Sequence, residues 1–268
     1  MALASLPMYD LPELHAATDA WWQGLARAFR REGLADVPDA LDRRPDYQQV
    51  LLSPGVLFSQ TCGYPLTHAL AGKVTLLATP LYAVEGCKAA DYCSLVIVGA
   101  DNPAAGIGDL RGTRCAINGI DSQSGCNALR ALVAPLAEGG RFFGKVAVSG
   151  GHRASIGLVG SGHADVAAID CVTHALLSRH RPAALAGTRV LCRTAAAPNL
   201  PYVTRAGAAD DLLARLRGGL QRAMADPALT TVRDSLMLTG IAVLPLSAYD
   251  RVTAMEAAAI AAGYPELA

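Results

Sequence analysis

The sequence predicts an α/β protein, and three observations carry that prediction. Of its 268 residues, 52% are hydrophobic and only 17% are charged, so the chain can bury a large core. Short apolar runs of strand length alternate along it with segments of helical periodicity. No internal repeat or low-complexity linker interrupts the alternation.

The elements follow in order. An apolar run predicts a strand over 2–8, after which Leu14, Ala17, Trp21, Leu25 and Ala28 recur at helical spacing. Further apolar runs predict strands over 56–60, 74–79, 94–98, 114–117, 145–149, 165–169 and 189–192. Between them, periodicity predicts helices over 127–136, 155–160, 172–178 and 210–225, with helical segments over 230–238 and 249–262 at the C-terminal end. Two stretches read as crossings between lobes, one near 80–93, rich in Gly, Ala and aromatic residues, and one near 195–203, where two prolines hold the chain extended. Lobe 1 is then 1–82 with 200–268, and lobe 2 is 83–199. A ligand is expected in the cleft where the strand ends of both lobes converge.

Composition excludes several classes of function. The 23 basic and 23 acidic residues cancel, no run of Lys or Arg marks a phosphate-tracking groove, and the 5% aromatic content offers no stacking platform for bases. Nucleic-acid binding is therefore not expected. No stretch approaches the roughly 18 apolar residues of a membrane span. The start lacks a basic n-region, so the chain as given reads as cytoplasmic, and as periplasmic if a leader has been removed. The 7 cysteines lack zinc-ligand spacing and read mostly as reduced, buried small residues, although Cys87 and Cys93 are near enough in sequence to pair after export. No metal or cofactor motif appears.

The candidate site starts at AINGIDSQSGCNALRALVAP, where a strand gives way to a helix. Helix starts carry unpaired N–H groups and a partial positive charge, Ser122 and Ser124 add hydroxyls, and Gly125 lets a ligand approach the backbone. One reading is an anion cradle; the other is an ordinary N-cap at Asp121, Ser122 or Ser124. A second junction, SGGHRASIG, places His152 ahead of a helix expected near Ser155, where a charge-assisted bond from the ring to the same anion is one role and capping another. Asp170 ends an apolar strand, either as the N-cap of the next helix or as a carboxylate facing a ligand amine or hydroxyl. Tyr9, Thr61, Tyr64 and Tyr82 follow predicted strands in lobe 1, where each tyrosine offers a wall and a hydroxyl or simply packs the crossing. Cys62 is a nucleophile only with a base such as His68, His152 or His174 beside it.

The ordered landmarks DLRGTRCAIN, DSQSGCNALR, SGGHRASIGLVGSGHADVAAIDCVTHAL and RVLCRTAAAPNLPYVTR resemble the phosphonate-binding family of ABC-transporter solute receptors, within the type 2 periplasmic-binding-protein superfamily. The resemblance implies a two-lobed α/β fold with a ligand cleft between the lobes, binding a small anion that is phosphonate-like or a carboxylate. It implies that Ser122, Gln123, Ser124, Gly125 and His152 form the anion site, with Asp170, Tyr9, Tyr64 and Tyr82 selecting the organic end, and an ABC-transporter permease as partner. An enzyme on the same fold acting on a small anionic substrate is the alternative, and a sensor domain is a third reading.

Overall fold

The computed structural model describes residues 2–44 and 46–268. In chain order its strands are β1 (Leu3–Ala4), β2 (Val56–Gln60), β3 (Val74–Tyr82), β4 (Asp91–Tyr92), β5 (Ser94–Gly99), β6 (Arg114–Ile117), β7 (Lys145–Val148), β8 (Val166–Asp170), β9 (Thr188–Arg193), β10 (Ala197–Pro198), β11 (Tyr202–Arg205) and β12 (Leu238–Ala242). The helices are α1 (His15–Arg31), α2 (Tyr47–Leu51), α3 (Gly63–Thr67), α4 (Ala128–Val133), α5 (His152–Gly160), α6 (Cys171–His180), α7 (Asp210–Ala225), α8 (Thr230–Ser235) and α9 (Asp250–Ala261). The chain forms two compact units: Met1–Ala83 with Pro198–Ala248, and Val84–Ala197 with Tyr249–Ala268.

In the first unit the sheet order is β1-β2-β11-β3-β12, with β1 parallel to β2 and the remaining neighbours antiparallel. Its core is aromatic. Helix α1 buries Trp21, Trp22, Leu25 and Phe29 at helical spacing, and Phe58 of β2 lies 5.5 Å from Phe29 and 4.9 Å from Tyr202 between ring centroids. Helix α7 approaches α1 closely because Gly219 has no side chain: a Cβ there would stand 2.4 Å from Phe29 Cδ1.

Two boundaries differ from the sequence reading for the same reason. Strand β3 runs three residues beyond 79, through Pro80, because β12 pairs with it over Thr79 to Tyr82. Strand β12 begins at Leu238, where periodicity alone would end a helix. The strand expected over 2–8 is reduced to Leu3–Ala4, an edge strand followed by Pro7, which has no N–H to donate.

In the second unit the sheet order is β7-β6-β8-β5-β9, with β6 parallel to β7 and β8, and β5 antiparallel to β8 and β9. Its apolar core gathers Val96, Ile117, Leu129, Val133, Phe142 and Val166. The last helix and tail also belong here, whereas the sequence reading gave 200–268 wholly to lobe 1. The cause is a buried polar anchor: Arg130 donates to Glu256 Oε1 at 3.0 Å, to Asn127 Oδ1 at 2.6 Å and to the Pro265 carbonyl at 2.6 Å. Tyr264 is fully buried, and the Ala268 main-chain oxygen accepts from the N–H groups of Phe142 and Phe143.

Candidate functional site

The serine-rich segment starts where β6 ends. Residues Asn118 to Asp121 turn the chain, and Ser122 then caps a π-helical turn over Gln123–Asn127 that leads into α4. Ser122 Oγ accepts from the Gly125 N–H at 3.0 Å, and its carbonyl accepts from the Asn127 N–H at 2.9 Å, the wide i→i+5 spacing of a π turn. Ser122 is therefore a cap in fact, and capping leaves its hydroxyl proton available to a further acceptor.

Ser124 continues the chain of polar groups. Its Oγ lies 3.5 Å from Ser122 Oγ and shares a 2.8 Å hydrogen bond with His152 Nε2, while its carbonyl accepts from Ser94 Oγ at 2.8 Å. Helix α5 begins at His152 itself rather than near Ser155, with Gly151 as its N-cap. The preceding turn needs Gly150, whose φ of 89° is left-handed, and it is tied by Ser149 Oγ to the Gly151 carbonyl and to Ser155 Oγ. Thus the His152–Ser124 bond brings the starts of two helices together, as the two strand-to-helix junctions suggested.

Two features of this cluster were invisible in the sequence. Asn118 lies over Gly125 so closely that a Cβ at 125 would stand 1.8 Å from Asn118 Oδ1 and 3.3 Å from His152 Cε1. Asn118 Oδ1 is buried and, among the described residues, has no hydrogen-bond partner. Its position at the strand end in AING was the available signal, but asparagine is common in turns for reasons unrelated to ligands.

Burial holds His152 neutral, pulling its pKa down from 6.5 to about 4. The Ala168 backbone carbonyl favours the charged ring and opposes that shift, without making a well-formed bond to Nδ1. Without an anion beside it, the ring is thus a neutral hydrogen-bonding group near neutral pH.

The remaining candidates divide. Gln123 is buried with its side-chain amide turned inward, accepting from Asn127 Nδ2 at 2.7 Å and reaching Met255 Sδ at 3.2 Å. Asp170 is 1% exposed and caps α6, its Oδ1 accepting from the N–H groups of Val172 at 2.7 Å and Thr173 at 3.0 Å. In the first unit Tyr9 and Tyr82 meet edge to face at 5.4 Å, and Gln60 Nε2 points to Tyr82 OH at 3.4 Å and to the Leu200 carbonyl at 3.0 Å. Thr61, immediately after β2, is fully buried with no hydrogen-bond partner for Oγ1 among the described residues. Tyr64 is stacked on His68, with ring centroids 3.9 Å apart. His68 is itself engaged through Nδ1 with Thr67 Oγ1 and the Tyr64 carbonyl.

Among the described residues no group of three or more His, Cys, Asp or Glu could hold a metal ion, and no helix is long and apolar enough to cross a membrane. What the polar cluster offers is a set of short hydroxyl and imidazole donors on two helix starts of an α/β unit. Such a set fits a small-molecule receptor of the periplasmic-binding-protein class, and the two-lobed α/β fold is that of this class. The chain belongs to the phosphonate-binding family: residues 56–249 match the family described as the periplasmic substrate-binding protein of the phosphonate ABC transporter. It is a solute-binding protein.

Solved structures agree on the fold. The chain is similar to a binding-protein component of an ABC phosphonate transporter from Pseudomonas aeruginosa, with 15% identity, a TM-score of 0.78, and coverage of 98% of this chain and 87% of that one. It is also similar to PhnD1 of Prochlorococcus marinus, solved in complex with methylphosphonate, with 14% identity, a TM-score of 0.76, and coverage of 96% and 97%. A third, XAC2383 of Xanthomonas citri bound to ATP, shares 19% identity at a TM-score of 0.71 over 98% of each chain. No curated protein sequence matches the chain.

Proposed function

We propose that the chain binds a phosphonate beside Gly125, with Ser122, Ser124 and His152 holding its oxygens, and that it works in the periplasm as the receptor of an ABC-transporter permease. The observation that carries the reading is the linked set Ser122 Oγ, Ser124 Oγ and His152 Nε2, with the unpartnered Asn118 Oδ1 beside it. A singly protonated phosphonate suits both halves of that set. Its oxygens accept from the serine hydroxyls and from the imidazole, and its own hydroxyl donates to Asn118 Oδ1. A sulfonate of the same shape brings acceptors only and leaves that buried carbonyl oxygen unpaired, a cost of about 1–3 kcal/mol.

The first unit supports the same class of ligand by chemistry. Thr61 carries a buried hydroxyl without a partner, and Tyr9 and Tyr82 supply aromatic surface for a short organic group. We assign these three as ligand contacts. Tyr64, Gln123 and Asp170 are assigned supporting roles, because their side chains already stack, pack or cap within their own units.

Calorimetric titration tests this. Methylphosphonate should bind the full chain and methanesulfonate should bind it far more weakly. Ser124→Ala should weaken methylphosphonate binding by about 1.5–3 kcal/mol, the value of a hydrogen bond to a charged group, with the circular dichroism unchanged. Equal affinity for the two ligands would remove Asn118 from the site, and unchanged affinity in Ser124→Ala would remove the cradle.

A further inference from the structure

Three thiols that ligand binding does not use lie together in the second unit. Cys87 Sγ is 3.7 Å from Cys171 Sγ. Cys93 immediately precedes β5 and Cys171 immediately follows β8, and the Cys171 N–H donates to the Cys93 carbonyl at 3.1 Å, so the two are cross-strand neighbours. Gly86 makes the cluster possible. Its φ is +100°, and a Cβ at that position would stand 3.0 Å from Cys93 Sγ and 3.2 Å from Cys171 Sγ. The sequence suggested pairing Cys87 with Cys93, but the structure makes Cys171, far away in sequence, the centre of the cluster.

We propose that Cys87 and Cys171 form a disulfide when the protein meets a disulfide oxidant, tying the 84–90 loop to the start of α6. Cys87 is part exposed, whereas Cys93 and Cys171 are buried, so the oxidant reaches Cys87 first. The Cys87 thiolate attacks one sulfur of a low-molecular-weight disulfide, forming a mixed disulfide and releasing one thiol. Cys171 Sγ then attacks Cys87 Sγ, the protein S–S bond forms, and the second small thiol leaves. Two electrons pass from the protein to the oxidant, and the two protons lost by the cysteines end on the two released thiols. In the reduced protein a hydrogen bond with Cys87 and burial both push the Cys171 thiol above its usual range, so Cys171 is not the thiol that opens the exchange. Cys171 follows Asp170 directly, so the bond fixes the helix start that Asp170 caps.

The test uses the full reduced chain, oxidised glutathione and peptide mapping without reduction. The expected product has lost two hydrogens and yields one cross-linked peptide joining Cys87 to Cys171, with a raised melting temperature because the bridge closes a long loop. Cys93→Ser should form the same bridge. Cys171→Ser should instead stop at glutathione on Cys87, with the buried Cys93 and Cys115 still free, and that protection reports that the variant is folded. Full retention of free thiols in the native chain would overturn the proposal, as would a bridge from Cys93 to either partner.

Discussion

Acidification isolates the consequence of burying His152. The ring titrates at about 4 in the folded protein against 6.5 ordinarily, so between these values the unfolded chain binds a proton that the folded chain refuses. Stability therefore rises with pH across that window and is lost as pH falls. The full effect is about 3 kcal/mol below both values, and about 2 kcal/mol is already lost at pH 5. Carboxylates also titrate in acid, so the informative quantity is a difference. Urea unfolding of the wild type and of His152→Gln, each at neutral pH and near pH 5, should show the wild type losing about 2 kcal/mol more than the variant. The glutamine amide keeps a neutral hydrogen-bonding group beside Ser124 and cannot be protonated in this range. Identical pH dependence in the two proteins would refute the argument, as would a His152 proton resonance that titrates at its ordinary pH. A bound phosphonate opposes the shift, because negative charge beside the ring favours its protonated form; saturating methylphosphonate should shrink the difference.

Two further perturbations probe the two units separately. Thr61→Val removes a buried hydroxyl that has no hydrogen-bond partner among the described residues, so it should stabilise the protein by about 1 kcal/mol in urea while weakening methylphosphonate binding; a destabilised variant with full affinity would mean that the hydroxyl is structural. Arg130→Ala removes the guanidinium that donates to Glu256 Oε1 and to the Pro265 carbonyl, and it should cost about 3–5 kcal/mol, read as a lower urea midpoint with loss of protection in α9 by hydrogen exchange. A surface-like loss below 1 kcal/mol would show that the anchor is dispensable.

Much of this architecture is legible in the sequence because local pattern and tertiary environment agree. Strands β2 and β6 and helix α7 have the predicted limits, since an apolar run buried on both faces and an amphipathic run with polar flanks both announce themselves locally. The misread places depend on distant partners. Nothing near Leu238 says that β3 will pair with it, and nothing near Tyr264 says that Arg130 will hold the tail to the second unit. The same division holds for the candidate site. Ser122, Ser124 and His152 stand out as hydroxyl and imidazole groups at helix starts, whereas the inward turn of Gln123 and the closeness of Asn118 are packing outcomes. The depressed titration of His152 likewise comes from enclosure, which a glycine-rich turn in a sequence does not reveal.

On the proposed site, the absence of a side chain at Gly125 limits how the bound ligand can change. With Asn118 Oδ1 only 1.8 Å from where a Cβ would begin, every other residue at 125 must first evict the Asn118 amide, whatever its own size or chemistry. Saturation mutagenesis there should return glycine alone among binders. Altered specificity should emerge instead through paired changes that shorten residue 118, or through the neighbouring Ile120, which is 75% exposed and meets no such obstacle.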